Sequence, residues 1–299
     1  MQLVMKKNVK QMIVIYSLVA VPLLLVLIFN YYPIINGFIH IFYRWDGDTI
    51  EEYVGLSNIV KMFHDVRLWK SFGVVFIFIL ANLVKMIPAI VAAVIIHHII
   101  HDGWRYAYRI LFIIPMIIPQ MVNILLWKYF YEPNVGILNT ILHAIGWLDP
   151  DKVIQWLSNE SLVIPSLILR GFPWIGAFSV LVYLAGLQNI PSSIYESAKM
   201  EGANAFQVFW YMELPLIMTQ IRIVLVLMII NTIRGWEFVY LFLGESGGPN
   251  GVATVPGLYI FREAFSRGYF GYGCAIGFLI FLITLLLTWI NNRYVRVDK

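Results

Sequence analysis

Ile190-Pro191-Ser192-Ser193-Ile194-Tyr195-Glu196-Ser197-Ala198-Lys199-Met200-Glu201-Gly202-Ala203 is a polar island between two long apolar runs. Ser193, with Glu196 three residues on, has the spacing of a capping box, which starts a helix by satisfying its free amides. Gly202 suits the left-handed position that ends one. The spacing predicts a helix of about two turns. Asn204 and Gln207 predict a looser second start. Leu214-Pro215 then opens the next long helix, since proline is tolerated in a first helical turn. Such a helix either merely joins two neighbouring elements or forms a rigid knob offered to a partner, and composition alone does not choose.

Outward from this island the chain is strongly apolar. Of its 299 residues, 60% belong to the AVILMFWYC set and 13% are charged, with a mean hydropathy of +0.77. A soluble domain carries roughly 25% charged residues because its surface must be wet. Most of this surface therefore faces something other than water. A membrane span needs about 20 mostly apolar residues to cross a core about 30 Å thick. Runs of that kind lie at about residues 12–30, 72–96, 110–130, 161–184, 217–242 and 272–290. The expected fold is an all-α integral membrane protein: six transmembrane helices, with the short helix in a loop at about residues 185–216. The whole of 1–299 reads as one domain. The net charge is only +4 and no long basic stripe is present, which excludes nucleic-acid binding as a main role. A single cysteine, Cys274, excludes an internal disulfide framework and a multi-cysteine zinc site; it reads as a small packing residue.

Lys6, Lys7 and Lys10 precede the first run, as in a secretory signal peptide. That run is long, however, and leads into Asn30-Tyr31-Tyr32-Pro33 rather than a small-residue cleavage site, so it reads as a retained span. Six spans put both termini on one side. The ends carry Lys6, Lys7, Lys10, Arg293, Arg296 and Lys299 against Asp298, which places both in the cytoplasm by the positive-inside rule. The 185–216 loop is then cytoplasmic. Tyr31, Tyr32, Trp69, Trp104, Trp127 and Tyr129 fall at the expected interfaces.

Tyr195-Glu196-Ser197-Ala198-x-x-x-Gly202-Ala203, followed by Phe209-x-x-Met212-x-Leu214-Pro215, resembles the EAA loop of binding-protein-dependent ABC importer permeases. Ser197 stands for the usual second alanine and Met212 for the usual isoleucine, both mild changes. Other segments resemble carbohydrate-type members in the same order: Val54-Gly55-Leu56-Ser57-Asn58, Tyr108 through Pro119 with Trp127-Lys128, Leu184 through Pro191, and Gly247-Gly248-Pro249. The resemblance implies a permease subunit in a bacterial-type plasma (inner) membrane, surrounded by lipid. Its implied partners are a second permease, usually a different chain, two cytoplasmic ATPases and an external solute-binding protein. The short helix would be the coupling helix, seated in a groove of the ATPase. The positions carried over are Tyr195, Glu196, Ser197, Ala198, Gly202, Ala203, Leu214 and Pro215, with Glu196 serving as both helix cap and polar contact. Small residues at Ala198 and Gly202 would allow close backbone approach. No G-x-x-x-x-G-K-[ST] occurs, so ATP and Mg belong to the partner ATPases; this chain is expected to hold no cofactor and to be no enzyme.

Ionisable groups within a span cost roughly 2.5–3.5 kcal/mol on insertion scales, so each needs a partner or a water-lined path. On straight helices, Arg170 falls ~14 Å below the outer membrane edge, and Arg234 and Glu237 ~12 and ~8 Å below it. Asn123 reaches a comparable level. Two readings follow. Arg234 and Glu237, at i,i+3, neutralise each other while Arg170 bonds carbonyls. Alternatively, Asn123, Arg170, Asn231, Arg234 and Glu237 line a translocation path with Trp174, Trp236 and Tyr240, a wall suited to sugar hydroxyls and C–H faces. Lys85 lies nearer the inner half, where its stem could snorkel. Pro115 and Pro119 are expected to kink the third span. His97, His98 and His101 with Asp102 lack the H-E-x-x-H pattern and read as interfacial histidines rather than a metal site. The competing function is an ion- or proton-coupled secondary transporter, which an unpaired mid-depth carboxylate or inverted-repeat symmetry would favour.

Overall fold

A computed structural model describes residues 9–294. Lys6, Lys7, Arg296, Asp298 and Lys299, which carry most of the orientation argument, lie outside the described residues. The first elements are α1 (Val9–Val26), α2 (Tyr32–His40), β1 (Tyr43–Trp45), β2 (Glu51–Tyr53), α3 (Ser57–His64) and α4 (Val66–His97). There follow α5 (Asp102–Ile117), α6 (Gln120–Phe130), α7 (Ile137–Ala144), α8 (Glu160–Leu169), α9 (Ala177–Gln188) and α10 (Ser192–Met200). The chain continues with α11 (Ala205–Val208), α12 (Leu214–Leu216), α13 (Met218–Arg234), α14 (Glu237–Leu243), α15 (Pro256–Phe261) and α16 (Phe270–Tyr294).

The contacts divide the described chain into two compact units, residues 9–65 with 260–279, and residues 66–259 with 280–294. In the first, the helix does not stop at Asn30 as the sequence reading has it. A π-turn at Leu27–Tyr31, in which the Tyr32 N–H bonds Leu27 O, carries it through Pro33 to His40. The wider turn moves the acceptor that proline would otherwise block. Beyond it lies a small antiparallel hairpin, which the all-helical expectation did not include, with Tyr43 opposite Tyr53 and Trp45 opposite Glu51. Asn58 fastens it, donating from Nδ2 to Ile41 O at 2.8 Å and to Tyr43 O at 2.9 Å.

In the second unit, α4 packs most extensively on α9. The seam is made of small and aliphatic residues: Ala89, Ala92, Ala93 and Ile96 against Val180, Tyr183, Leu184 and Leu187. Small residues let helix backbones approach, the main source of packing energy where lipid is the solvent. Gly186 extends this to α13, since a Cβ there would lie 2.7 Å from Gln220 Cδ. A second cluster joins Val75 and Phe78 of α4 to Leu167 of α8, Ile233 of α13 and Val239 and Phe242 of α14.

Three stretches are long and apolar enough to span a membrane as they stand: Val14–His40, Val66–His97 and Phe270–Asn291. Counting three bent helix pairs as spans raises the number to six. The third run bends, as its prolines lead one to expect, and the fourth and fifth are not the straight helices that the depth count assumed. In the third, α5 ends at Ile117, its C-cap Ile118 is held extended before Pro119, and α6 leaves at 88°. The fourth is cut between α8 and α9, where Gly171 (φ +80°) and Trp174 (φ +60°) are left-handed. The fifth is cut at Gly235-Trp236, between α13 and α14.

Candidate functional site

The polar island folds as α10, but not by the expected cap. The N-cap is Pro191 and no side chain caps it. The Pro191 carbonyl accepts from Ile194 N at 3.1 Å, so the first turn closes on backbone alone and Ser193 already lies inside the helix. Glu196 is therefore no cap. The box forms one step later, at Asn204 and Gln207: Asn204 Oδ1 accepts from Gln207 N, and Gln207 Oε1 from Asn204 N, both at 2.9 Å. The other end is as expected. Gly202 has φ +75°, Ala203 N donates to Ala198 O, and Gly202 N donates to Lys199 O. This is the Schellman closure of a helix. Leu214-Pro215 does not open the fifth span; it lies in the helix Ala205–Leu216, which meets α13 at 65°.

The two faces of α10 differ. Glu196, Ser197 and Gly202 are exposed, Met200 is 89% exposed and nearby Phe206 is 70% exposed. Ala198 is buried, so its small size serves packing within this subunit. Tyr195 also points inward. Its hydroxyl donates to Glu213 Oε1 at 3.0 Å and lies 3.2 Å from His97 Nε2. His98 Nε2 bonds the same Glu213 oxygen at 2.8 Å. The knob is thus pinned to the end of α4 and to the turn before α12 through a carboxylate that is 1% exposed. Burial, then the Glu213 charge, then the hydrogen bond to it all push the Tyr195 phenol up, so it stays a donor. The sequence reading passed over Glu213; an acid within the apolar stretch Phe209–Leu216 was the available signal.

The breaks in the fourth and fifth spans open onto a cavity of about 480 Å³. Arg170, Trp174, Asn231 and Glu237 line it, whereas Asn123, Arg234, Trp236 and Tyr240 do not. Asn123 lies on α6 beyond the 88° bend, where counting depth along a straight helix fails. Trp236 packs over Gly257, with Tyr240 edge-on to it at 5.9 Å. The wall also contains Asn82, Lys85, Gln120, Ser179 and Thr232. Lys85 belongs to the cavity wall, with its Nζ 5.7 Å from the Trp174 ring centre. Arg170 stands over the Phe238 ring at 5.3 Å.

Among the described residues Arg234 and Glu237 form no ion pair; Glu237 Oε2 instead accepts from Trp236 N at 3.1 Å. The breaks explain these charges in another way. Arg170 is the C-cap of α8, Arg234 the last residue of α13 and Glu237 the first of α14. Each matches the sign that its helix terminus favours. A double-mutant cycle on uptake rate, Arg234→Ala with Glu237→Ala, is expected to show coupling under about 0.5 kcal/mol. A coupling of ~1 kcal/mol or more would restore the pair.

Residues 70–296 match the family described as binding-protein-dependent transport system inner membrane component. The probable ABC transporter permease protein YurN of Bacillus subtilis is 26% identical over 97% of this chain and 99% of its own. The multiple sugar-binding transport system permease protein MsmF of Streptococcus mutans is 28% identical over 90% of each chain. A solved bacterial ABC transporter for import of the acidic polysaccharide alginate superposes with a TM-score of 0.82 at 23% identity, over 97% of both chains. A second structure, with an alginate pentasaccharide-bound periplasmic protein, gives the same TM-score and identity over 98% of this chain and 97% of that one. The match covers the cavity wall, the α10 knob and every helix from α5 on, and the chain belongs to this family of inner-membrane transport components.

Proposed function

We propose that the chain is a permease subunit of an ABC importer that moves a carbohydrate into the cytoplasm by alternating access. The observation that carries this is the two-faced α10: bonded inward through Tyr195 to Glu213, bare outward at Glu196, Ser197, Met200 and Gly202. A helix anchored in this way transmits force from whatever grips its outer face. The gripping partner is one of two ATPases, which bind ATP and Mg. A second permease and an external binding protein complete the assembly, and both termini of this chain are cytoplasmic. Turning a 1:99 equilibrium into 99:1 takes ~5.5 kcal/mol of differential binding, more than one side chain here supplies, so a nucleotide-driven partner is required. Three supports favour a carbohydrate: the likeness to MsmF, the likeness to the alginate transporter and a wall mixing amides, hydroxyls and aromatic rings. The ion-coupled alternative finds no support in the family match or among the relatives, which are ABC transporter permeases.

The test is reconstitution. Proteoliposomes holding the permease pair, ATPases and binding protein are expected to take up labelled oligosaccharide only with ATP on the ATPase side. Uptake by this polypeptide alone would refute the reading.

A further inference from the structure

We infer that the cavity at the broken spans selects an anionic saccharide, one bearing carboxylates as a uronic acid oligomer does, over its neutral counterpart. The inference rests on the carbohydrate reading above and adds charge to it. The charged side chains on the wall are Lys85, Arg170 and Glu237, two cations against one acid. The helix ends decide how much of that charge is already engaged. The C-terminal ends of α8 and α13 carry partial negative charge, and Arg170 and Arg234 meet them. The N-terminal end of α14 carries partial positive charge, and Glu237 meets it.

What is left over is positive. Lys85 sits mid-helix on α4, away from any terminus, and among the described residues it has no carboxylate partner. The first turns of α6, at Gln120, and of α9, at Gly176 and Ser179, also line the cavity, and no side chain caps either helix start. Arg170 retains a buried Nε with no hydrogen-bond partner. Its planar fork suits a carboxylate, and half-helix N-termini suit the same anion. Neutral hydroxyls would leave the excess charge unanswered. The polar pair Asn82 and Thr232 is already joined at 2.9 Å, so it offers little to replace it.

The test uses the whole importer in detergent and matched probes: trimers of galacturonate and of mannuronate, each beside its carboxyl-reduced neutral product. Equilibrium binding is expected to favour each acidic trimer by about tenfold or more, with the advantage shrinking as salt rises. The preference is expected to fall below about threefold in Lys85→Gln with Arg170→Gln. Lys85→Met, which keeps the stem and loses the charge, serves if the double variant does not assemble. If the neutral trimers bind as well as the acidic ones, or the variants keep the preference, the inference falls and the carbohydrate reading stands. If no trimer of either kind binds, both fall.

Discussion

Replacing Gly202 with valine is expected to cut substrate-stimulated ATP hydrolysis by the assembled importer ~10-fold or more, with the subunit still inserted. Gly202 holds φ +75°, and nothing lies within 4 Å of a Cβ built there, so the penalty is conformational rather than a clash. A non-glycine residue held there costs on the order of 1–3 kcal/mol, at the upper end for a β-branched side chain. The chain escapes the cost by abandoning the bonds from Gly202 and Ala203 that close α10, which frays the exposed end of the knob. Gly202→Asn, which tolerates this conformation, should keep most of the activity. Glu196→Lys reverses a charge on the same exposed face and should lose coupling without disturbing the helix. ATPase assays on membranes with matched subunit content separate these cases, and full stimulation in the valine variant would remove α10 from the transmission.

The second large effect is expected at Glu213. Glu213→Leu deprives the half-buried Tyr195 hydroxyl and the half-exposed His98 of their shared acceptor, leaving Tyr195 only His97 Nε2 and releasing the ties from α10 and α4 to residue 213, at a cost of about 1–3 kcal/mol. The detergent-solubilised complex should melt several degrees lower and lose coupled hydrolysis. Glu213→Gln keeps an acceptor oxygen and should be mild; Tyr195→Phe, which leaves His98 in place, should fall between. The pH dependence has a definite sign. Because the Tyr195 phenol is raised above its ordinary value, its contribution is complete below about pH 10 and is lost only as pH climbs through the folded value. Titrating between about pH 6 and 8 should therefore leave the Tyr195 contribution unchanged. A Tyr195-dependent change in that window would mean the hydroxyl is not held as a donor.

The apolar runs made the helical membrane fold legible, and Gly202 and the Asn204–Gln207 box made the end of α10 and the start of α11 legible. What failed has one physical root, the assumption of straight spans. Depth counted at a fixed rise put Asn123, Arg170, Arg234 and Glu237 in one slab, but Pro119, Gly171 and Gly235 break the helices that carry them. Pro119 reads as a kink, but the depth count runs straight through it, and a hydropathy window averages the two glycines away. The apparent Arg234–Glu237 pair arose in the same way, since an i,i+3 spacing brings side chains together only within a continuous helix. Glu213 was passed over, and Lys85 was noticed without its surroundings, because a lone charge in an apolar stretch does not name its partner; theirs come from 115 and 89 residues away, His98 and Trp174.

The contact at Gly186 bears on how such a machine moves. The Gln220 side chain of α13 lies against the bare backbone of Gly186 on α9, so the two helices meet closely and sliding one along the other would disturb that contact. A push on α10 passes through only Asn189, Ile190 and Pro191 before it reaches α9, and α13 must follow. Bending is then left to the interruptions at 170–176 and 235–236, where no intact helix resists it. Those joints are also the walls of the cavity, so crank and latch share the same few residues.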